Sequence, residues 1–233
     1  MTKTAQKVAL AILVILTAGL CYGAIQHANA APPMSDIAYD APTPTGAAPT
    51  NITSLSVLSD SHIFNSGSWF RLTVEKGMLK GVGVSTFAST PGGNAARVGA
   101  KIDDVLDADW VIVQAGTNDL IVNTSPAETA QAVEQIVSDV RTEGPKVILA
   151  AIPPSNEVPG GVVQTNELLK SWAKSKGVPF LDVYSPVAAR GGTFRDGMTS
   201  DDRHANAKGA RATAEAVTPK LAKILGTTVV ANP

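Results

Sequence analysis

Residues 110–119 read Trp110-Val111-Ile112-Val113-Gln114-Ala115-Gly116-Thr117-Asn118-Asp119, a short β-rich run that breaks into a glycine and three polar side chains. Aromatic and β-branched residues favour a strand over 110–114, and the Gly-Thr-Asn-Asp that follows marks a loop. The same grammar recurs along the chain. Ser54–Leu58, Gly81–Ser85, Lys146–Ala151 and Pro179–Val183 are the other strand candidates. Between them, Pro126–Arg141 carries Ala127, Ala130, Val133, Ile136, Val137 and Val140 at helical spacing, with Pro126 suited to a first turn. Asn166–Lys176 and Ala205–Leu225 also read as helices. Strands alternating with helices predict a three-layer α/β fold, a central five-stranded parallel sheet flanked by helices.

Composition bounds what such a domain does. The 233 residues, 44% hydrophobic and 17% charged, suit one domain with a sizeable core. Nineteen Lys plus Arg against twenty Asp plus Glu leave no basic excess to track a phosphate backbone, so nucleic acid is excluded as a partner. One cysteine and three histidines argue against a disulfide scaffold and against zinc.

The chain before the domain reads as export machinery. Lys3 and Lys7 precede an uncharged run from Val8 to Ile25, and Ala28-Asn29-Ala30 offers small residues at the spacing of a cleavage site, so residues 1–30 are expected to be a signal peptide. An uncleaved membrane anchor is the alternative, since the run is just long enough to span a bilayer. Lipidation at Cys21 is disfavoured by Leu20 before it. Each reading places the domain outside the cytoplasm, secreted or at the cell envelope. Removing residues 1–30 takes the net charge from −1 to −3 by loss of Lys3 and Lys7. Residues 31–51, rich in Ala, Pro and Thr, read as an extended tether, 52–226 as the folded domain and 227–233 as a tail.

Reactive groups in such a sheet gather where strands end. Four clusters fit: Ser59-Asp60-Ser61-His62, Gly81-Val82-Gly83-Val84-Ser85, Gly116-Thr117-Asn118-Asp119, and Asp201-Asp202-Arg203-His204-Ala205-Asn206 followed by Gly209. A serine hydroxyl needs a base, and histidine is the side chain suited to that near neutral pH. His62 adjoins Ser61 and points away from it, so His204 is the better base. Asp201, three residues earlier, is spaced to hold the other ring nitrogen; Asp202 competes with it. The Ser61 and Gly83 amides and the Asn118 side chain are the expected oxyanion donors. The kit points to acyl transfer. Asp60 and Asp119 read as loop organisers, and Asn206 and Gly209 as shaping the start of the last helix.

These four clusters, in this order, resemble the SGNH hydrolase (GDSL-type esterase/lipase) superfamily. Its nucleophile block matches Ser59-Asp60-Ser61, its glycine block Gly83, its Gly-x-Asn-Asp block Gly116 to Asp119, and its Asp-x-x-His block Asp201 to His204. The resemblance spans residues 59–209 and implies a flavodoxin-like fold. Departures are Ser59 for the usual Gly, Gly81 where Asn is frequent, Thr86 where Gly is frequent, and His62 for the common Leu or Ile. A Ser-His pair here resembles SGNH domains associated with cell-surface glycan acylation. No Gly-x-Ser-x-Gly elbow of the α/β-hydrolases is present.

The expectation is a serine esterase whose catalytic residues are Ser61, Asp201 and His204, whose oxyanion hole is Ser61, Gly83 and Asn118, and which needs no cofactor or metal. Its partner is an ester of a small molecule, glycan or lipid, with a short acyl group such as acetyl, and the protein is expected to act as a monomer. Alternatives are an acyltransferase to surface glycans, a lysophospholipase or thioesterase, and a catalytically inactive surface-binding module.

Overall fold

The computed structural model describes residues 53–230; the expected signal peptide, the tether and the last three residues lie outside that range. Its elements are β1 (Thr53–Ser59), α1 (Ser61–Phe64), β2 (Val82–Ser89), α2 (Ala95–Gly99), β3 (Trp110–Gln114), α3 (Thr117–Ile121), α4 (Pro126–Thr142), β4 (Lys146–Ala150), α5 (Pro159–Lys176), β5 (Phe180–Leu181) and α6 (Ala207–Leu225). The five strands are parallel, in the order β2-β1-β3-β4-β5. This is the flavodoxin-like order, in which the chain leaves β1 to one side and returns to the other. A crevice therefore opens past the C-terminal ends of β1 and β3, and the segments starting at Ser61 and Gly116 enter it.

Strand periodicity explains the two cores. Successive side chains point to opposite faces. Val111, Val113, Val147 and Leu149 pack on one face with Val133 and Val137 of α4 and Leu169 of α5. Ile112, Ile148 and Ala150 pack on the other, with Phe70 and with Val217 and Leu221 of α6. Ile112 and Ile148 are fully buried, so truncating either to alanine would cost about 2–5 kcal/mol. Among the described residues, no helix is long and apolar enough to cross a membrane.

Helix starts follow local chemistry. Ser125 and Glu128 form a reciprocal capping box ahead of Pro126 at the first turn of α4. The α5 helix begins at Pro159, seven residues before the expected Asn166. Gly160 and Gly161 are poor helix formers and hid this turn from the sequence. Gly161 is placed by packing, since a Cβ there would stand 3.1 Å from a Leu120 methyl. Residues 227–230, expected as tail, run beside Met78–Lys80, with Val229 bridged antiparallel to Leu79.

One site expectation fails on register. The expected strand Gly81–Ser85 is β2, but β2 runs on to Ser89, and Gly83 is its second residue, paired with Ser54 at the start of β1. Ser59, next to the nucleophile block, pairs with Ser89. At about 3.3 Å per residue, Gly83 lies roughly 20 Å from that end of the sheet. It cannot donate to an oxyanion at Ser61. The segment after β2 is Thr90-Pro91-Gly92-Gly93-Asn94, and it lies beside the nucleophile block, the Thr90 amide donating to the Ser59 carbonyl.

Candidate active site

The nucleophile block is held from both sides of β1. Asp60 donates its amide to the Gln114 carbonyl on β3, while its carbonyl accepts the Ser89 hydroxyl at the end of β2. Its side chain caps α1 by accepting the His62 amide at 3.1 Å. Ser61 is the first residue of α1, where an amide has no helical carbonyl to bond and stays available to a ligand.

Buried polar groups need partners, and Asp60 is short of one: it is wholly buried and its second oxygen has none. Burial pushes its carboxyl up to about 7, against the lowering effect of the His62 amide, with the Asp119 charge adding to the rise. Asp119 is placed as expected of a loop organiser. It accepts the Ala95 amide at the start of α2 at 2.8 Å, and burial raises its pKa too.

Ser61, His204 and Asp201 converge although Ser61 stands 143 positions before His204, with Asp201 three before that histidine. Ser61 Oγ lies 2.8 Å from His204 Nε2, and His204 Nδ1 lies 2.7 Å from Asp201 Oδ2. The other Asp201 oxygen accepts the amides of Arg203 and His204, closing a tight turn that presents the ring. Burial alone would raise the Asp201 pKa. The hydrogen bonds from the His204 amide and ring and from the Arg203 amide, with the His204 charge, outweigh it and hold the carboxyl at about 2.

Asp202 does not compete for the ring. It takes a left-handed backbone conformation, φ 64°, and its carboxylate accepts the Asn156 side-chain amide. Arg203 makes a two-pronged contact with Glu157 at 2.8 and 2.9 Å. The Asp201–His204 turn is thus tied to the segment that follows β4. Asn206 caps α6 by accepting the Lys208 and Gly209 amides, and Gly209 packs so tightly on the Met198 carbonyl that no Cβ fits.

Asn118 comes from the β3–α3 junction. Gly116 there has φ 119°, and a Cβ would stand 2.7 Å from an Ile152 methyl, so glycine is required on both counts. The Asn118 amide donates to the Gly93 carbonyl at 3.0 Å. That bond orients the amide and leaves its second N–H for a ligand. The Gly93 amide is itself taken by the Thr90 carbonyl. Ser61 and Asn118 thus both follow the C-terminal ends of neighbouring strands, β1 and β3, whereas Gly83 lies at the opposite end of the sheet. Sequence reasoning missed Gly93, Thr117, Asn156 and Glu157. The Gly92-Gly93 pair reads as a turn in the sequence, and a β2 that extends through Phe87 and Ala88 puts that turn at the site's end of the sheet.

A cavity of about 220 Å³ opens beside His204, between the segment after Ser61 and the start of α6. Trp69, Val183, Val187 and Ala210 give it apolar walls, and Asn65 and Asn206 supply polar groups. The His62 imidazole also borders it. Burial first, and then the nearby His204 charge, hold that ring neutral, well below the ordinary histidine pKa.

Comparison with known proteins bears on family and fold. The model of the GDSL-like Lipase/Acylhydrolase family matches residues 65–212, a stretch that holds Asn118, Asp201 and His204 and begins just after Ser61. No curated protein matches the chain. A carbohydrate acetylesterase from Sinorhizobium meliloti superposes with a TM-score of 0.61 at 17% identity, covering 73% of this chain and 99% of its own. An aryl esterase from M. smegmatis gives 0.60 at 15%, covering 73% and 99%. A GDSL-like lipase from Bacteroides thetaiotaomicron gives 0.58 at 16%, covering 74% and 88%. At these identities the likeness is one of fold.

Proposed function

The chain belongs to the GDSL-like lipase/acylhydrolase family, an ester-hydrolysing family, and from that premise we propose that it is a serine esterase removing short acyl groups, acetyl foremost, from carbohydrate or cell-envelope esters. The observation that carries the proposal is the continuous contact from Ser61 Oγ through the His204 ring to Asp201.

In this reading Asp201 holds the proton of His204 on Nδ1, which leaves the Nε2 lone pair facing the serine. Ser61 attacks the ester carbonyl as its proton passes to Nε2. The oxyanion that forms accepts hydrogen bonds from the Ser61 amide and the Asn118 side chain. The alcohol leaves with the proton from His204, and water then releases the acyl group by the same route. Burial of His62 helps, because a neutral neighbour does not oppose the positive charge that His204 acquires.

The short-chain preference is supported by the likeness in fold to an acetylesterase. The carbohydrate part draws on the Sinorhizobium acetylesterase, a protein of the same fold. Action outside the cytoplasm, secreted or anchored at the envelope, rests on the N-terminal pattern of Lys3, Lys7 and the apolar run.

The test is turnover of p-nitrophenyl esters of rising chain length, followed by product analysis on an acetylated sugar with an acceptor sugar present. Highest kcat/KM on acetate, with free acetate as product, is the expected result. Preference for long chains would move the assignment to a lipid esterase, and acetylated acceptor would make the protein an acyltransferase.

A further inference from the structure

His62 is a buried titratable side chain to which this mechanism assigns no contact with the reacting atoms. An imidazole in a protein interior is costly unless its polar atoms are satisfied. Here His62 Nε2 lies 2.9 Å from Thr117 Oγ1, and Thr117 is itself buried. The positions of these two residues make the bond notable. His62 follows Ser61, and Thr117 precedes Asn118. One hydrogen bond thus joins the segment that carries the nucleophile, leaving β1, to the segment that carries the oxyanion donor, leaving β3. The ring also stands 5.1 Å from the His204 ring, tilted by 50°. A single side chain therefore braces the nucleophile, the donor and the base.

We propose that His62 is a positioning residue: its bond to Thr117 fixes the separation of Ser61 from the Asn118 amide, and its ring limits the swing of His204. The proposal rests on the serine esterase reading. Leucine at this place could fill the space but could not make the bond. The segments would then be coupled by the Asp60 amide on the Gln114 carbonyl at 3.1 Å and, indirectly, through the segment after β2, where the Gly93 carbonyl accepts the Asn118 amide and the Thr90 amide donates to the Ser59 carbonyl. Sub-ångström placement matters because the donors must face the oxyanion where it forms. An apolar residue would supply volume and a neutral environment, but not that registration.

The test compares wild type, His62→Leu, Thr117→Val and the double variant, with His62→Gln as the conservative replacement whose amide reaches the position of Nε2. Each is assayed for kcat and KM on p-nitrophenyl acetate, for the rate of fluorophosphonate labelling at Ser61, and for thermal unfolding. Each single variant should lose about tenfold in kcat and in labelling rate, with KM changed less than about twofold. The double variant should be no slower than the slower single, because both remove one bond. His62→Gln should recover most of kcat.

Wild-type kcat in His62→Leu, or losses that multiply in the double variant, would overturn the proposal. If the leucine variant does not fold, Thr117→Val decides alone, and unchanged kcat there overturns it. Failure of the esterase reading looks different, since wild type itself would then neither label nor turn over ester.

Discussion

Replacing Asp201 with asparagine probes the relay at its most informative atom. Asp201 Oδ1 accepts the Arg203 and His204 amides and so holds the turn, while Oδ2 alone faces His204 Nδ1 at 2.7 Å. Asparagine keeps the first oxygen and puts an NH2 in place of the second. An NH2 cannot accept the Nδ1 proton, so the ring takes the other tautomer and turns an N–H, not a lone pair, toward Ser61 Oγ 2.8 Å away. Loss of the correct tautomer costs about 10³–10⁴ in kcat, or roughly 4–5.5 kcal/mol of barrier. The Asp201 side chain is 55% exposed, so water screens part of its charge and the lower end of that range is expected. The tautomer argument is independent of screening.

The assay is p-nitrophenyl acetate turnover alongside thermal unfolding. The folded Asp201 carboxyl lies below its usual 3.8, at about 2. Its stabilisation is therefore complete at neutral pH and is lost only as pH falls through that window. Unfolding at neutral pH should shift by a few degrees at most, because the turn bonds survive. A folded Asp201→Asn protein with less than a tenfold loss of kcat would refute the reasoning.

Three further outcomes follow from the geometry. Asn118→Ala should lower kcat about 10²–10³-fold, whereas Gly83→Ala should leave it within about threefold; equal losses would restore Gly83 to the oxyanion site. Gly116→Ala should destabilise by about 1–3 kcal/mol from the left-handed backbone alone, with more from the clash with Ile152, and urea unfolding would show it as a lower midpoint. Asp60 has a folded pKa raised from 3.8 to about 7, so the folded state keeps a proton that the unfolded state has released, and stability declines as pH rises through that window. Asp60→Asn cannot ionise, and its melting temperature relative to wild type should therefore climb between about pH 4 and pH 7; parallel curves would contradict the assignment.

Much of this was legible before any coordinates, for physical reasons. All five strands were found because β-rich runs end in loop-forming residues, as at Val113-Gln114 before Gly116. The relay was legible because few side chains can activate a serine, and only two histidines remain after the N-terminal segment. Gly83 was misassigned because alternating Gly and Val reads equally well as a loop or a strand start. Only the pairing of Ser59 with Ser89 shows which end of β2 faces the site. The His62–Thr117 bond and the Asn156 and Glu157 contacts join segments far apart in sequence, and no local pattern announces such pairs.

The most direct measurement is intact-mass analysis of the protein after a fluorophosphonate probe, with peptide mapping of the adduct. A single adduct on Ser61, formed by wild type and slowed by several orders of magnitude in His204→Ala, is the result the geometry requires. No adduct, an adduct on another residue, or undiminished labelling without the imidazole would show that Ser61 and His204 do not act together.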